Sequence, residues 1–270
     1  MISWIGGKSR ISNWIIPFIP KNIETYVEPF SGAFWVLFKM DLNNYPNLKD
    51  IVYNDFNGYL VNLFMCCKNH REFYDYLQNY KSQDKELFYQ YQKDLLENDK
   101  YEMPDFNKAL KFSYLTSQVF SGISPLKGKF IDLKDKYKSK FDTFKDKLIN
   151  TDYTENLDKI TNFENLDFQN VIEKYDNEKA FFYIDAPYYN LGEKYYSNQS
   201  FSLSDHERLA NTLKKIKGRF AMSYYDFSDL STWFPKDQYK WEQKDFHKTA
   251  GALKGGKQTK GTELLIMNYY

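Results

Sequence analysis

The chain has 270 residues and a mass of 32.4 kDa, which fits one large α/β domain or one domain carrying an insertion. Its 37 basic and 36 acidic residues leave a net charge of +1, which excludes a wholly basic nucleic-acid coat and an acidic disordered tail but not a local basic face. With 42% hydrophobic and 19% aromatic residues, the chain can form an ordinary core despite a mean hydropathy of −0.69, so bulk disorder is not expected.

The cysteines and histidines predict neither a disulfide framework nor a metal site. Cys66 and Cys67 are adjacent and are the only cysteines, and adjacent cysteines rarely pair with each other. The three histidines are scattered, with no metal-ligand spacing. The first residues lack the basic and apolar regions of a signal peptide, and no apolar run approaches the roughly 18 residues of a membrane span. We therefore expect a reducing, cytoplasmic environment.

The first third of the chain predicts the opening of a βαβ unit. Residues 23–30 form a β-branched and aromatic strand, which ends in a tight turn at 31–33 and an apolar, helix-like run at 34–38. A second strand is predicted at 50–55, followed by helical character at 60–65. This order of strand, turn, helix and strand is typical of parallel α/β sheets.

The last third predicts further strands of the same sheet. Residues 179–185 have the continuous apolar pattern of a strand buried on both faces. A helix is predicted at 203–217, with Ser204 as its N-cap, and strands are predicted at 219–223 and 262–267. The two outer thirds of the chain therefore predict one α/β sheet that is mostly parallel.

The middle of the chain is different in composition. It is polar and rich in Tyr and Lys, and it shows helical or loop-like patterns without a succession of strands. We interpret residues 69–150 as an insertion into an α/β domain that is formed by residues 1–68 and 151–270.

The first candidate site is the segment 28–33 at the end of the first strand. Ligands bind at the carboxyl ends of strands in open α/β sheets, where a glycine such as Gly32 lets the backbone approach them closely. Asp55 follows the next strand, 23 residues after Gly32, where an acidic side chain commonly binds ribose hydroxyls. The alternative is a turn glycine and a helix-capping aspartate. The residues after Gly32 are bulky where a phosphate-binding loop needs glycines, so a nucleoside cofactor without phosphates is favoured over a dinucleotide.

The second candidate site is Asp185-Ala186-Pro187-Tyr188, directly after the buried strand. The Asp185 carboxylate and the Ala186 carbonyl can accept hydrogen bonds from an amino group, and Tyr188 can stack on a planar base. An Asx-Pro turn, common at strand ends, is the structural alternative.

Four segments, in this order along the whole chain, resemble motifs of the N6-adenine DNA methyltransferases that include the bacterial Dam methylases. Residues 4–8 resemble W-A-G-G-K, residues 27–33 resemble E-P-F-x-G-x-G, residues 54–62 resemble D-x-N-x-x-L, and residues 185–188 resemble D-P-P-Y. The resemblance implies a Rossmann-like, S-adenosylmethionine-dependent methyltransferase sheet and makes the mostly helical insertion at 69–150 the target-recognition domain.

The resemblance also implies two sets of site residues. The catalytic set would be Asp185, Ala186, Pro187 and Tyr188. The set that contacts S-adenosylmethionine would be Trp4, Lys8, Glu28, Pro29, Phe30, Gly32, Asp55, Asp167, Phe168 and Asp185. Within it, Asp55 would bind the ribose, residues 28–32 would surround the methionine moiety, and Asp167 with Phe168 would hold the adenine.

The chain departs from the family pattern at two positions. Phe34 stands where the cofactor loop usually has a second glycine, and we expect its side chain to narrow the pocket. Ala186 replaces the first proline of the catalytic motif. It still supplies the backbone carbonyl that the chemistry needs, so we expect activity to survive.

The expected reaction is methylation of an adenine amino group in double-stranded DNA after the base is flipped out of the duplex. The Lys-rich runs 127–147 and 244–260, each with a net charge of +4 (eight Lys and four Asp; five Lys and one Asp), are the candidate DNA contacts. Residues 117–122 align with a region that reads bases in Dam, but their sequence differs, so a GATC target does not carry over. A restriction endonuclease partner and an orphan enzyme are both compatible with the sequence.

Two alternatives remain open from the sequence. One is a degenerate methylase that only binds DNA, which Phe34 and Ala186 would motivate. The other is methylation of cytosine N4 or of RNA, although those enzymes more often have Ser or Asn at the position of Asp185.

Overall fold

Seven strands form one sheet in the computed structural model, which describes residues 7–98, 100–119, 125–132, 139–189, 201–247 and 260–270. The strands are β1 (Thr25–Glu28), β2 (Asp50–Asn54), β3 (Asn162–Glu164), β4 (Ala180–Ile184), β5 (Arg219–Tyr224), β6 (Lys240–His247) and β7 (Lys260–Met267). Their order across the sheet is β3-β2-β1-β4-β5-β7-β6. The first five strands are parallel, whereas β7 pairs antiparallel with both β5 and β6. The predicted α/β sheet is confirmed.

Helices connect most of these strands. Within the described residues they are α1 (Ser12–Ile15), α2 (Gly58–Lys68), α3 (His70–Leu77), α4 (Lys85–Glu97), α5 (Phe106–Gln118), α6 (Lys140–Lys147), α7 (Thr151–Asp158), α8 (Phe168–Tyr175), α9 (Leu203–Leu213) and α10 (Leu230–Trp233). Most begin at a side chain that accepts a hydrogen bond from a free backbone N–H of the first turn. These caps are Asn57, Asp84, Asp105, Ser139, Asn150, Asp167 and Ser202. None of the described helices has the length and apolar character that a membrane span requires.

Three local predictions were wrong. The helix expected at 34–38 is absent, and only a 3-10 turn forms at Leu37–Lys39, since Phe34 has a left-handed backbone (φ 56°) that cannot start an α-helix. The N-cap of α9 is Ser202 rather than Ser204, because Ser202 forms a reciprocal capping box with Asp205. The same helix ends at Leu213 instead of continuing to residue 217.

Both faces of the sheet are covered, and neighbouring residues of its central strands point to opposite sides. Tyr26 and Tyr53 belong to the core on one face, together with residues of α2 to α7. Val27 and Val52 belong to the core on the other face, with residues of α8 to α10. Helices α3 to α6, within the predicted insertion, therefore share a continuous core with the sheet, and the division at residues 69–150 stays a prediction.

The strand order directs attention to one edge of the sheet. The order reverses between β1 and β4, and ligands bind in open α/β sheets at such a point, beyond the carboxyl ends of the strands. The segments after β1 and β4 are the two candidate sites of the sequence. Because β7 is antiparallel, its amino-terminal half lies at this same edge, where Leu264 pairs with Tyr224 at the end of β5.

Candidate active site

The loop after β1 is fastened to the end of β2. The backbone N–H of Ser31 donates to the carbonyl of Asn54 at 2.9 Å, and the N–H of Asn54 donates to Ser31 Oγ at 3.0 Å. The Tyr53 hydroxyl donates to the carbonyl of Gly32 at 2.7 Å. Gly32 has φ 50°, a left-handed conformation in which glycine carries no steric penalty. Three hydrogen bonds to the end of β2 thus fix the turn at Gly32 at the switch point of the sheet.

Asp55 lies against this turn. One oxygen of its carboxylate accepts from the Gly32 N–H at 2.9 Å, and the other accepts from the Asn57 N–H at 2.8 Å. Burial raises the pKa of Asp55 to about 6, although the two backbone hydrogen bonds oppose the rise. Asp55 therefore ties the Gly32 turn to the segment before α2, but it is not the helix cap of the alternative interpretation, because the N-cap of α2 is Asn57. Because a carboxylate offers about four acceptor positions, it can also accept hydrogen bonds from a ligand.

Phe34 does not narrow a pocket, contrary to the sequence-based expectation. Its side chain is only 1% exposed and points into the core. There the ring meets Tyr53 edge-on at 5.1 Å between centroids and also packs against Tyr26 and Phe38. Phe34 has adopted the left-handed backbone that would suit the missing glycine, so the loop keeps its course and the large ring contributes to the core.

The other loop residues differ in accessibility. Glu28 is 2% exposed and accepts a hydrogen bond of 2.6 Å from the Tyr26 hydroxyl, and burial holds its pKa well above the usual range. The carbonyl of Pro29 accepts from the side chain of Asn54 at 2.7 Å. Phe30 is partly exposed and stacks on Phe168 at 5.4 Å between centroids.

Asp167 and Phe168 lie next to the loop through that stacking contact. Arg208 forms an ion pair of 2.5 Å with Asp167, and this hydrogen bond, with the guanidinium charge, lowers the pKa of the carboxyl. The Arg208 guanidinium also lies 4.0 Å above the centre of the Phe168 ring, which is 4% exposed and is contacted by Phe201 as well. Phe168 is largely a core residue, and Asp167 remains partly accessible.

Asp185 follows β4 and belongs to a buried ion-pair network. Lys8 Nζ lies 2.6 Å from Asp185 Oδ1 and 3.4 Å from Glu263 Oε1. Burial raises the pKa values of both carboxyls, and the Lys8 charge opposes the rise. Burial alone would lower the pKa of Lys8, but the charges of Asp185 and Glu263 outweigh it and raise that pKa.

Tyr188 connects the members of this network. Its hydroxyl accepts a hydrogen bond of 2.6 Å from Lys8 and donates one to Glu263. The Tyr188 ring lies 5.0 Å from the Tyr224 ring and 4.4 Å from the Tyr225 ring, with Lys8 Nζ 4.7 Å from its centre. An aromatic ring, a carboxylate and a cation thus meet at the carboxyl end of β4.

Within the segment 185–188, Ala186 is more deeply buried than Pro187. Ala186 is 1% exposed and belongs to the core beneath the segment, whereas Pro187 remains partly exposed. The small Ala186 side chain therefore fits the space at the first proline position of the motif.

The structure brings together the predicted residues of both segments but does not describe all of them. Trp4 lies outside the described residues, as do 120–122 of the predicted base-reading region, 133–138 of the first Lys-rich run and 248–259 of the second. In the first run, Lys127, Lys129 and Lys140 are exposed. The roles assigned to all these residues stay predictions.

Sequence reasoning missed two charged residues of the site, Glu263 and Arg208. Glu263 stands at the head of the apolar run 264–267 and is 2% exposed. A buried carboxylate needs a partner, so its position next to a buried strand was a usable signal. Arg208 gave no comparable signal, because its contact with Asp167 spans 41 positions of sequence.

Comparison with known proteins finds relatives that match along nearly the whole chain. Curated relatives with similar sequences include the Type II methyltransferase M1.LlaDCHI of Lactococcus lactis subsp. cremoris, 25% identical over 98% of this chain and 94% of the relative. The Type II methyltransferase M.MjaIII of Methanocaldococcus jannaschii is 27% identical over 99% of this chain and 98% of its own. The Type II methyltransferase M.CviBI of Paramecium bursaria Chlorella virus NC1A is 26% identical over 100% of this chain and 99% of its own.

Family membership rests on a match that covers most of the chain. Residues 4–247 match the D12 class N6 adenine-specific DNA methyltransferase family, a span that includes the loop after β1, Asp55 and the segment 185–188. The chain therefore belongs to the D12 class of N6 adenine-specific DNA methyltransferases.

Proposed function

We propose that the methyl donor is S-adenosylmethionine and that the acceptor is an adenine flipped out of double-stranded DNA. The observation that carries this proposal is the meeting of two segments at the switch point of the sheet. The Gly32 turn with Asp55 follows β1, and the Asp185–Tyr188 segment follows the adjacent strand β4.

The chemical character of this edge suits S-adenosylmethionine. Carboxyl groups of Glu28, Asp55, Asp185 and Glu263 gather there, and the positive charge of a bound sulfonium would favour their ionised forms. Asp55 would accept hydrogen bonds from the ribose hydroxyls, and the loop 28–32 would surround the methionine moiety. Trp4, Lys8, Asp167 and Phe168 complete the proposed set, the last two on the adenine. When bound, this cofactor supplies a methyl group activated by a sulfonium.

The residues after β4 would activate the acceptor. The lone pair of the adenine amino group is delocalised into the ring, so the amine is a poor nucleophile. Hydrogen bonds from its two N–H groups to the Asp185 carboxylate and the Ala186 carbonyl would favour a pyramidal nitrogen. Such positioning by preorganised acceptors requires no covalent intermediate on the protein.

DNA binding would use three features of the chain. Tyr188 would stack on the flipped base, and the Lys-rich runs 127–147 and 244–260 would contact phosphates. The insertion at 69–150 would contribute target recognition. Because the relatives are Type II methyltransferases, this chain would act in restriction and modification beside an endonuclease, and an orphan enzyme is the alternative.

The experiment that tests this proposal is methyl transfer from labelled S-adenosylmethionine to duplex DNA of mixed sequence, with parallel RNA samples, followed by nucleoside analysis. We expect N6-methyladenine from DNA alone. Asp185→Ala should reduce the rate by at least ~100-fold, the scale for removing one preorganised acceptor. Asp158→Ala, at an aspartate whose side chain is 57% exposed, is the matched control.

Other products would separate the alternatives. N4-methylcytosine, or transfer to RNA alone, would replace the proposal with the corresponding alternative. DNA binding without any methyl transfer would identify a degenerate methylase.

A further inference from the structure

Two buried and two half-buried polar residues form one hydrogen-bonded group at the proposed acceptor site. This group, called here the Lys8 cluster, consists of Lys8, Asp185, Tyr188 and Glu263. The side chains of Lys8 and Glu263 are 8% and 2% exposed, and that of Asp185 is 19% exposed. One ammonium therefore lies among two carboxylates and a phenol at the end of β4.

Lys8 contacts the two side chains that would receive the flipped adenine, Asp185 and Tyr188. Its ammonium donates to Asp185 Oδ1, at 2.6 Å, where the proposed function requires an acceptor for the adenine amine. The same atom lies 4.7 Å from the centre of the Tyr188 ring, where the base would stack. Since an ammonium and an amino group are both N–H donors, Lys8 resembles the substrate amine in what it presents to Asp185. An incoming base must compete with it.

Glu263 offers Lys8 a second position. Its carboxylate is 3.4 Å from Lys8 Nζ, so a small movement would turn this longer contact into a short ion pair. Without Glu263, an ammonium leaving Asp185 would become an unpaired buried charge, which is strongly unfavourable. Glu263 reaches this edge only because β7 runs antiparallel to β5.

We propose that Lys8 substitutes for the adenine amine at Asp185 while the enzyme is free of DNA and moves to Glu263 when the base enters. Glu263 is then a positioning residue for base capture, acting through Lys8. The inference depends on the proposed function, because it assumes that Asp185 and Tyr188 receive the flipped adenine.

The test measures recognition of the amino group itself. First, wild-type protein methylates DNA of mixed sequence, and the modified adenine is mapped. Two labelled duplexes are then compared in binding titrations at a concentration of S-adenosylhomocysteine that saturates each variant. One duplex has adenine at that position and the other has purine, which lacks the amine. The ratio of the purine Kd to the adenine Kd reports capture of the amine, and loss of overall folding does not change it selectively.

We expect Glu263→Gln to reduce this ratio by about tenfold, because Lys8 then remains on Asp185 and the competent fraction falls. The KM for DNA should rise similarly, with kcat at saturating DNA within about threefold of wild type. Glu263→Asp keeps the charge, so its ratio should be close to that of wild type. Lys8→Met removes the competitor, so its ratio should equal or exceed that of wild type.

A double-mutant cycle provides the decisive comparison. If Glu263 acts through Lys8, Glu263→Gln should have no further effect on the ratio in a Lys8→Met background. Lys8→Gln serves the same purpose if Lys8→Met does not fold. Glu24→Gln and Lys49→Met are matched controls in an exposed ion pair of 2.6 Å at the opposite, amino-terminal edge of the sheet, and both should leave the ratio unchanged.

Contrary results would show whether the proposed function or only this further inference is wrong. A wild-type protein that transfers no methyl group to adenine would overturn the proposed function. An active wild type whose ratio is unaffected by Glu263→Gln, or is lowered by Lys8→Met, would overturn only the inference about Lys8 and Glu263. So would an effect of Glu263→Gln that persists without Lys8.

Discussion

The ring of Phe34 meets the ring of Tyr53 edge-on at 5.1 Å, while the Phe34 backbone is left-handed at φ 56°. The buried ring stabilises the fold, whereas the left-handed backbone destabilises it. A left-handed backbone costs a side-chain-bearing residue about 1–2 kcal/mol, whereas a buried phenylalanine contributes about 3–5 kcal/mol relative to alanine. Burial therefore outweighs strain, and the residue is retained in a position suited to glycine.

This balance predicts an unusual order of stability at position 34. Phe34→Gly loses the ring but also loses the strain, whereas Phe34→Ala loses the ring and keeps the strain. We expect both variants to be destabilised, with the glycine variant more stable than the alanine variant by about 1 kcal/mol. Urea unfolding measures the difference. At Phe38, in a 3-10 turn of the same core, alanine should be the more stable replacement, and the same order at both positions would contradict the explanation.

Cofactor affinity should depend on pH through Asp55. Burial raises the pKa of this carboxyl to about 6, and ribose hydroxyls donate best to the ionised form. Affinity for S-adenosylmethionine should thus be complete above pH 7 and fall as the pH drops below about 6. Asp55→Ala should cost roughly 1–3 kcal/mol of binding at pH 7.5, and Asp55→Asn should abolish the pH dependence between pH 5 and 7.5.

Calorimetric titration across that pH range tests the prediction. Asp41→Asn, at an exposed turn, is the control and should bind the cofactor as the wild type does. Unchanged affinity in both Asp55 variants would assign Asp55 to the Gly32 turn alone.

Tyr188 should affect base capture more than cofactor binding. Tyr188→Ala removes the proposed stacking platform and should weaken capture of the flipped base by ~1–3 kcal/mol. Tyr188→Phe retains the ring, so its capture of the flipped base should be closer to that of the wild type. Single-turnover methylation, with separate titrations of cofactor and of DNA carrying a fluorescent base at the target, measures each effect. If Tyr188→Ala methylates DNA at the wild-type rate with wild-type affinity, the stacking role is wrong.

His206 should make the fold sensitive to acid. Its ring is 2% exposed and shares a hydrogen bond of 2.7 Å with the Tyr224 hydroxyl, which accepts another from the Tyr189 N–H. Burial lowers the pKa of His206 to about 4 from its usual 6.5, although the nearby charge of Asp205 opposes the change. The unfolded chain therefore binds a proton that the folded chain does not, and this contribution to stability is lost as the pH falls from 6.5 toward 4.

The expected loss from this histidine is about 2 kcal/mol between pH 7.5 and 5. His206→Phe should be less stable at pH 7.5, because the Tyr224 hydroxyl loses its hydrogen bond to the histidine ring, but it should lose less stability on acidification than the wild type. Urea unfolding of both proteins at the two pH values gives the comparison. If both proteins lose the same amount of stability between pH 7.5 and 5, His206 is not the origin of the acid sensitivity.

Local sequence determined where most of the functional segments lie. Runs of β-branched and aromatic residues predicted β1, β2, β4, β5 and β7 within a few residues, because a strand buried on both faces must be apolar throughout. Asp55 and Asp185 could then be placed at strand ends from sequence alone. Four motifs in order were also enough to predict the family.

Only the tertiary structure decided which side chains meet at those strand ends. Lys8 pairs with a carboxylate far along the chain, and its hydrogen bond to Tyr188 spans 180 positions. Glu263 joins them through the antiparallel register of β7. The direction of the Phe34 ring, into the core and away from the loop, likewise depends on Tyr53 and Tyr26. Strand formation follows from patterns a few residues long, whereas these contacts depend on the order and direction of strands, which the packing of the whole sheet determines.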